Sequence, residues 1–160
     1  VIERGFQGPR IKIYNLFGAL SKDHPLTGIG FGQQIYTNPQ LIDLKKYNQN
    51  LPLPYQMKSD YIYNSPHNTY LDIAVRTGII GLIFFLSILV TAALMLWQIW
   101  RKTRSEYFRS WAVCLLASLA SIVVQAMFMD LYDHSSVSFF TILAMIAILW
   151  NLSRKEEGAS

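Results

Sequence analysis

Apolar and polar positions divide this chain into two unlike parts. Residues 1–77 mix polar and aromatic side chains, whereas 78–152 are mostly apolar. The stretch 78–100 carries 23 residues and no charge, about 34 Å of helix at roughly 1.5 Å per residue, enough to cross a bilayer. A second stretch, 111–129, is interrupted only by Ser118, Ser121 and Gln125, and a third, 135–152, is also uncharged. Isolated segments of this kind satisfy their backbone groups in hydrocarbon only as helices. The pattern predicts an all-α polytopic membrane protein with three transmembrane helices at 78–100, 111–129 and 135–152. An extracytoplasmic loop region with short helices spans 1–77, and 153–160 is a tail. No charge or helix break is expected inside the spans. Ala117 and Ser121, four residues apart, predict close helix packing.

Within the polar part, Pro9 suits the first position of a helix. From Arg10 onward Ile13, Tyr14, Leu16, Phe17 and Leu20 recur at three- and four-residue spacing, which predicts a short helix with one apolar face. That face suits the membrane interface, with Arg10, Lys12 and Lys22 turned toward phosphates. The helix should end by Asp23-His24-Pro25, because proline restricts the residue before it. Gly28-Ile29-Gly30-Phe31-Gly32 then reads as a tight turn; a dinucleotide loop would need a strand before it and a helix after it. Residues 36–64 show no sustained period and read as a long surface loop, with Tyr47, Tyr55, Tyr61 and Tyr63 available to contact sugars or cover a cleft. A new helix is predicted near Asn68, a favoured N-cap, leading through Leu71, Ile73, Ala74 and Val75 to Gly78.

Charge adds orientation. The link 101–109 holds Arg101, Lys102, Arg104 and Arg109 against Glu106, the turn 130–134 has no Lys or Arg, and the tail has Arg154 and Lys155. The positive-inside rule puts link and tail in the cytoplasm and residues 1–77 outside; the eight basic residues of that long segment count for little. Trp97, Trp100, Trp111 and Trp150 cluster near span ends on the link side. The net charge of +4 is spread over both sides, so nucleic acid is not an expected partner. The single cysteine, Cys114, lies in a span and reports nothing about redox compartment. Three spans make a poor closed bundle around a site, so the chain reads as the C-terminal part of a larger polytopic protein.

His67, just ahead of the predicted helix, is the foremost candidate for a general base. The positive end of the helix disfavours imidazolium, which leaves a proton-accepting ring where a span meets water. A structural histidine bonded to a backbone carbonyl is the plainer alternative. Arg10 has the planar fork that grips a phosphate or pyrophosphate, or it is an arginine snorkelling from an interfacial helix. His24, His67 and His134 are too scattered in sequence for a recognisable metal set, and no cofactor is indicated. No Gly-x-Ser-x-Gly signature supports a hydrolase. Asp130, Asp133 and His134 read as a solvated turn or the lining of an outward cavity.

Three motifs then coincide. Arg10-Ile11-Lys12-Ile13-Tyr14, Asp23-His24-Pro25-Leu26-Thr27-Gly28-Ile29-Gly30-Phe31-Gly32, and His67-Asn68-Thr69-Tyr70-Leu71 followed by Gly78-Ile79-Ile80-Gly81-Leu82 resemble the O-antigen ligase/polymerase family. The likeness covers about residues 8 to 90. It implies a bacterial inner-membrane glycosyltransferase that takes a glycan from undecaprenyl pyrophosphate and joins it to a hydroxyl of lipid A core, a growing glycan or a protein, without a metal. By that likeness Arg10 matches the arginine that binds pyrophosphate and His67 the histidine that activates the acceptor. Asn68, Tyr70 and Arg76 join them as substrate-binding candidates. Arg76 departs from the family, many of whose members have glutamate there, and would add positive charge near the lipid phosphates. Two other readings stand beside this one: a transporter or flippase fragment, and a non-catalytic membrane protein with a glycan-binding outer loop.

Overall fold

The computed structural model describes residues 9–32, 35–57, 65–129 and 135–159. Its elements are helices α1 (Pro9–Asp23), α2 (Leu44–Asn50), α3 (Thr69–Lys102), α4 (Glu106–Gln125) and α5 (Ser135–Ala159), with a short 3-10 turn at Leu53–Tyr55. Among the described residues all regular structure is helical, and three helices are long and apolar enough to cross a membrane. The polar turn 130–134, together with Tyr61 and Tyr63, lies outside the described residues. Contacts divide the chain into two compact units, Val1–Ile83 and Phe84–Ser160.

The first unit is built around α1. Leu16, Phe17 and Leu20 are fully buried and Ile13 nearly so. They meet Ile35, Tyr36, Leu44, Met57 and Val75, and the rings of Phe17 and Tyr36 stand edge to face at 5.0 Å. This corrects the interfacial reading of α1: its apolar face is spent on a core inside the unit rather than on lipid. Burial of four large side chains at roughly 1.5–3 kcal/mol each is what the helix gains from that choice. Lys12, which the sequence turned toward phosphates, donates instead to the Gln56 carbonyl at 2.9 Å.

The segment read as a structureless loop contains α2 and the 3-10 turn. Asp43 caps α2 by accepting from the amides of Lys45 and Lys46 at 3.0 and 3.1 Å. Asn48 is buried, and its side-chain amide closes a two-bond ring with Met57, donating to the carbonyl at 2.9 Å and accepting from the amide at 2.8 Å. Gln56 reaches back to the carbonyls of Gln49 and Leu51. Hydrogen bonds from single side chains order this stretch, so no hydrophobic period marks it in sequence.

The second unit pairs α4 with α5. Buried positions recur at three, four or seven: Leu89, Ala92, Leu96 and Ile99 on α3; Ala112, Leu115 and Leu119 on α4; Phe139, Ile146 and Leu149 on α5. Such a seam is that of helices crossing at a shallow angle. Ala117 and Ser121, expected to pack, are exposed on α4 instead, nearly half a turn from the buried stripe. Polar side chains within the apolar helices bond to carbonyls of their own helix: Ser87 to Phe84, Ser118 to Cys114 and Thr141 to Val137. Many large apolar side chains of α3 face outward, among them Ile83, Phe84 and Val90, as a lipid-facing surface requires.

Candidate active site

α3 is two helices joined at a break. Gly78, with φ 67° and ψ −169°, leaves the helical region, a conformation open to glycine at little cost. In an unbroken helix the Ile79 amide would bond the Val75 carbonyl. Here the Ile79 amide donates to the Pro25 carbonyl at 2.9 Å, and the Val75 carbonyl accepts from Ile29 at 3.0 Å. The Arg76 carbonyl accepts from Gly30 at 2.8 Å. The turn after α1 therefore supplies the partners that the break takes away, and backbone groups at the start of the apolar stretch stay paired. The break was not expected from the sequence. It falls at the edge of the apolar stretch, where a loop closes it, rather than midway across.

This docking is backbone against backbone. Gly28 has φ 66° and Gly30 φ 99°, which makes residues 28–30 the tight turn that the glycines predicted. A Cβ on Gly28 would strike the carbonyl of Arg76 and the amide of Thr77. A Cβ on Gly78 would strike the carbonyl of Leu26 and the amide of Thr27.

A polar cluster holds the same junction from the side. Arg76 donates through Nε to both carboxylate oxygens of Asp72 at 2.9 Å, and the side chains are 14% and 2% exposed. The Tyr36 hydroxyl donates to Asp72 Oδ1 at 2.8 Å. The Arg76 guanidinium lies 4.5 Å from the centre of the Tyr36 ring and donates through Nη1 to the Gly32 carbonyl at 2.9 Å. Charge-assisted bonds of this kind are about twice as strong as neutral ones. Of the predicted site residues, Arg76 is thus engaged on three sides. Tyr36 and Asp72 were missed. For Asp72 the available signal was an acid four residues before an arginine on a helix, a spacing that brings two side chains together; nothing near Tyr36 in the sequence marked it.

His67 sits at the other end of this short helix. It is exposed, with φ 47°, a left-handed conformation uncommon outside glycine, though histidine tolerates it better than most. Its amide donates to the Ser65 hydroxyl at 3.1 Å. Asn68 follows as the predicted cap, accepting from the Leu71 amide at 3.0 Å. Pro66 and Thr69 on either side of them are buried, while Tyr70 is half-buried. The imidazole is thereby presented from a turn whose backbone is fixed on both sides. Residues 69–77 are then clamped at one end by the cap, at the other by the docked turn, and along one face by Tyr36.

Arg10 lies in the first turn of α1 and is exposed. At the far end of that helix Tyr47 donates to Asp23 Oδ2 at 2.6 Å. That hydrogen bond, followed by burial and the charge of Asp23, pushes the phenol up from the usual 10.0 to about 12. Among the described residues no three His, Cys, Asp or Glu side chains gather closely enough to hold a metal ion.

No curated protein and no solved structure matches the chain. The family model described as O-antigen ligase matches residues 4–86, a stretch running from α1 through the docked turn and His67 to the helix beyond the break. The chain is a membrane protein of the O-antigen ligase family.

Proposed function

We propose that this chain carries acceptor-activating and donor-binding residues of a membrane glycosyltransferase, which moves a glycan from undecaprenyl pyrophosphate to an acceptor hydroxyl. The acceptor is lipid A core, a glycan or a protein. Family membership supports the reaction class. The observation that carries the residue assignment is the backbone of His67, held left-handed at φ 47° between the Ser65 bond and the Asn68 cap, with its ring exposed. Strain kept at one exposed titratable residue, on an otherwise well-satisfied helix start, is the kind found where geometry serves chemistry.

In this reading His67 removes the proton from the acceptor hydroxyl as it attacks the anomeric carbon. The bond from that carbon to the pyrophosphate oxygen breaks, and the configuration inverts. Pyrophosphate leaves readily once its charge is met, and Arg10 meets it through its planar fork. No step calls for a metal. Asn68 and Tyr70, on the turn that His67 opens, contact the sugars, although the Oδ1 of Asn68 already serves as cap. Arg76 acts on substrate indirectly, by holding the turn 25–32 against the helix. Residues 1–77 face outward from a bacterial inner membrane, and the basic link 101–109 and the tail face the cytoplasm.

The test is His67→Gly in the full-length protein. Glycine relieves the left-handed backbone, so the variant should fold at least as stably as the parent. Transfer should fall about 10²- to 10⁴-fold, the usual contribution of a positioned base. A stable His67→Gly protein that transfers glycan at the parental rate removes the base from this mechanism.

A further inference from the structure

The basic end of the second unit contains a cleft that the transfer reaction does not use. It lies between the last turns of α3 and the C-terminal part of α5, has a volume of about 60 Å³, and is lined by Gln98, Ile99, Lys102, Trp150, Ser153 and Arg154. Ile99 and Ser153 form its floor, at 2% and 3% exposure. Lys102, Arg154 and Gln98 stand exposed at its rim. Among the described side chains, which exclude that of Glu157, neither Lys102 nor Arg154 pairs with a carboxylate. Arg154 lies 5.2 Å from the centre of the Trp150 ring, so its guanidinium is held over one wall. The acids at this end are Glu106, at the start of α4, and Glu156 and Glu157, beyond the cleft on α5.

The depth of the cleft follows from the chain on either side. The uncharged run of α3 ends at Trp100, two residues before Lys102, and that of α5 ends at Leu152, two residues before Arg154. Trp97, Trp100 and Trp150 mark the same level, where amphipathic rings favour the headgroup boundary. The two cations and the Gln98 amide therefore converge at the depth of lipid phosphates. Basic pockets between transmembrane helices at such a boundary take anionic headgroups.

We propose that this cleft is a binding site for the phosphate of an anionic phospholipid. Lys102 and Arg154 bracket the phosphate and the Gln98 amide donates to one of its oxygens, while Ser153, whose hydroxyl donates to the Trp150 carbonyl at 3.0 Å, only lines the floor; the acyl chains run along the outer faces of α3 and α5. Lipid is favoured over free phosphate because the bilayer supplies the phosphate at this depth together with apolar chains for the flanking helices.

The experiment is native mass spectrometry of the purified full-length protein, loaded from mixed micelles with phosphatidylglycerol and phosphatidylcholine in equal amounts. Three proteins are compared: the parent, Lys102→Gln/Arg154→Gln, and Arg104→Gln/Lys155→Gln, which removes two cations at the same end but outside the cleft. Each cation near an anionic surface is worth roughly fivefold in affinity. The parent should retain phosphatidylglycerol preferentially, the cleft variant should lose that preference by about tenfold or more, and the control should stay within about twofold of the parent. Equal losses in both variants would mean general surface attraction and would overturn the site. Undiminished retention in the cleft variant would overturn it as well. Displacement of the lipid by millimolar inorganic phosphate would overturn the commitment to a lipid.

Discussion

Gly28 and Gly78 meet across one junction, each placed so that a side chain on it would collide with the backbone of the other's segment. Both hold positive φ, at 66° and 67°. An alanine at either position is forced to a positive φ, and at Gly78, with ψ −169°, into a region essentially reserved for glycine, costing about 1–3 kcal/mol before any collision is counted. Gly28→Ala and Gly78→Ala should each lower the denaturation midpoint of the full-length protein and lower transfer with it. Gly18, inside α1 with open space around it, should behave oppositely. Gly18→Ala should stabilise by about 0.5–1 kcal/mol, because glycine weakens a helix interior. Chemical denaturation of the three variants checks the contrast, and equal effects would mean that the junction imposes no special demand.

The Asp72–Arg76 pair makes a second prediction, since its carboxylate is 2% exposed. Removing one member of a buried pair leaves the other uncompensated, a loss of about 3–5 kcal/mol. Asp72→Ala should approach that range, whereas Tyr36→Phe, which deletes one bond to the same carboxylate, should cost about 1 kcal/mol. In the double variant the two losses should fall short of their sum, because the tyrosine bond has no acceptor once Asp72 is gone. A double-mutant cycle by urea denaturation decides it, and strict additivity would show that Tyr36 and Asp72 do not work as one unit.

What could be read in the sequence depended on whether a feature was local. The apolar face of α1, its end at Asp23, the Asn68 cap and the three long apolar helices all rest on neighbours within a few residues, so periodicity and capping rules reach them. The core that α1 fills was invisible because Ile35, Leu44 and Met57 come from a stretch with no period. That stretch is ordered by Asn48 and Gln56, whose bonds span five to nine residues. The break at Gly78 was hidden for a different reason. A glycine in an apolar run reads as a helix residue unless something supplies the backbone partners lost there, and that supplier, residues 25–30, lies about fifty positions earlier. Histidine and arginine were legible as chemistry. Tyr36, the residue that ties the turn to the helix, was not, because its partner Asp72 is 36 residues away.

Tyr47 predicts a pH dependence. Its phenol is pushed up to about 12 in the folded chain, first by the bond to Asp23, against the usual 10.0. A raised value means that the folded form holds the proton more tightly than the unfolded one. The tie therefore contributes its full stability below pH 10 and loses it as pH rises through about 12. NMR of protein carrying ¹³C-labelled tyrosine, with the Tyr47 signal assigned by its loss in Tyr47→Phe, should show the Tyr47 phenol still protonated at pH 11. Asp23→Asn should bring that phenol back toward the usual value, and a Tyr47 signal that titrates near 10 in the parent would refute the tie.

Arg10 offers the cleanest separation of substrate binding from folding. It is exposed on the first turn of α1, whereas the core side of that helix is formed by Ile13, Leu16, Phe17 and Leu20. Exposed substitutions away from packing usually shift stability by no more than about 0.5 kcal/mol, so Arg10→Ala should fold as the parent does. If its guanidinium grips the pyrophosphate, loss of a charge-assisted bond should raise the KM for the lipid-linked donor by about 10- to 100-fold. The KM for the acceptor should not change. Arg10→Lys should recover only part of the loss, because an ammonium keeps the charge but lacks the two-pronged fork. Full recovery by lysine would reduce the role to simple charge, and an unchanged donor KM in Arg10→Ala would take Arg10 out of the donor site.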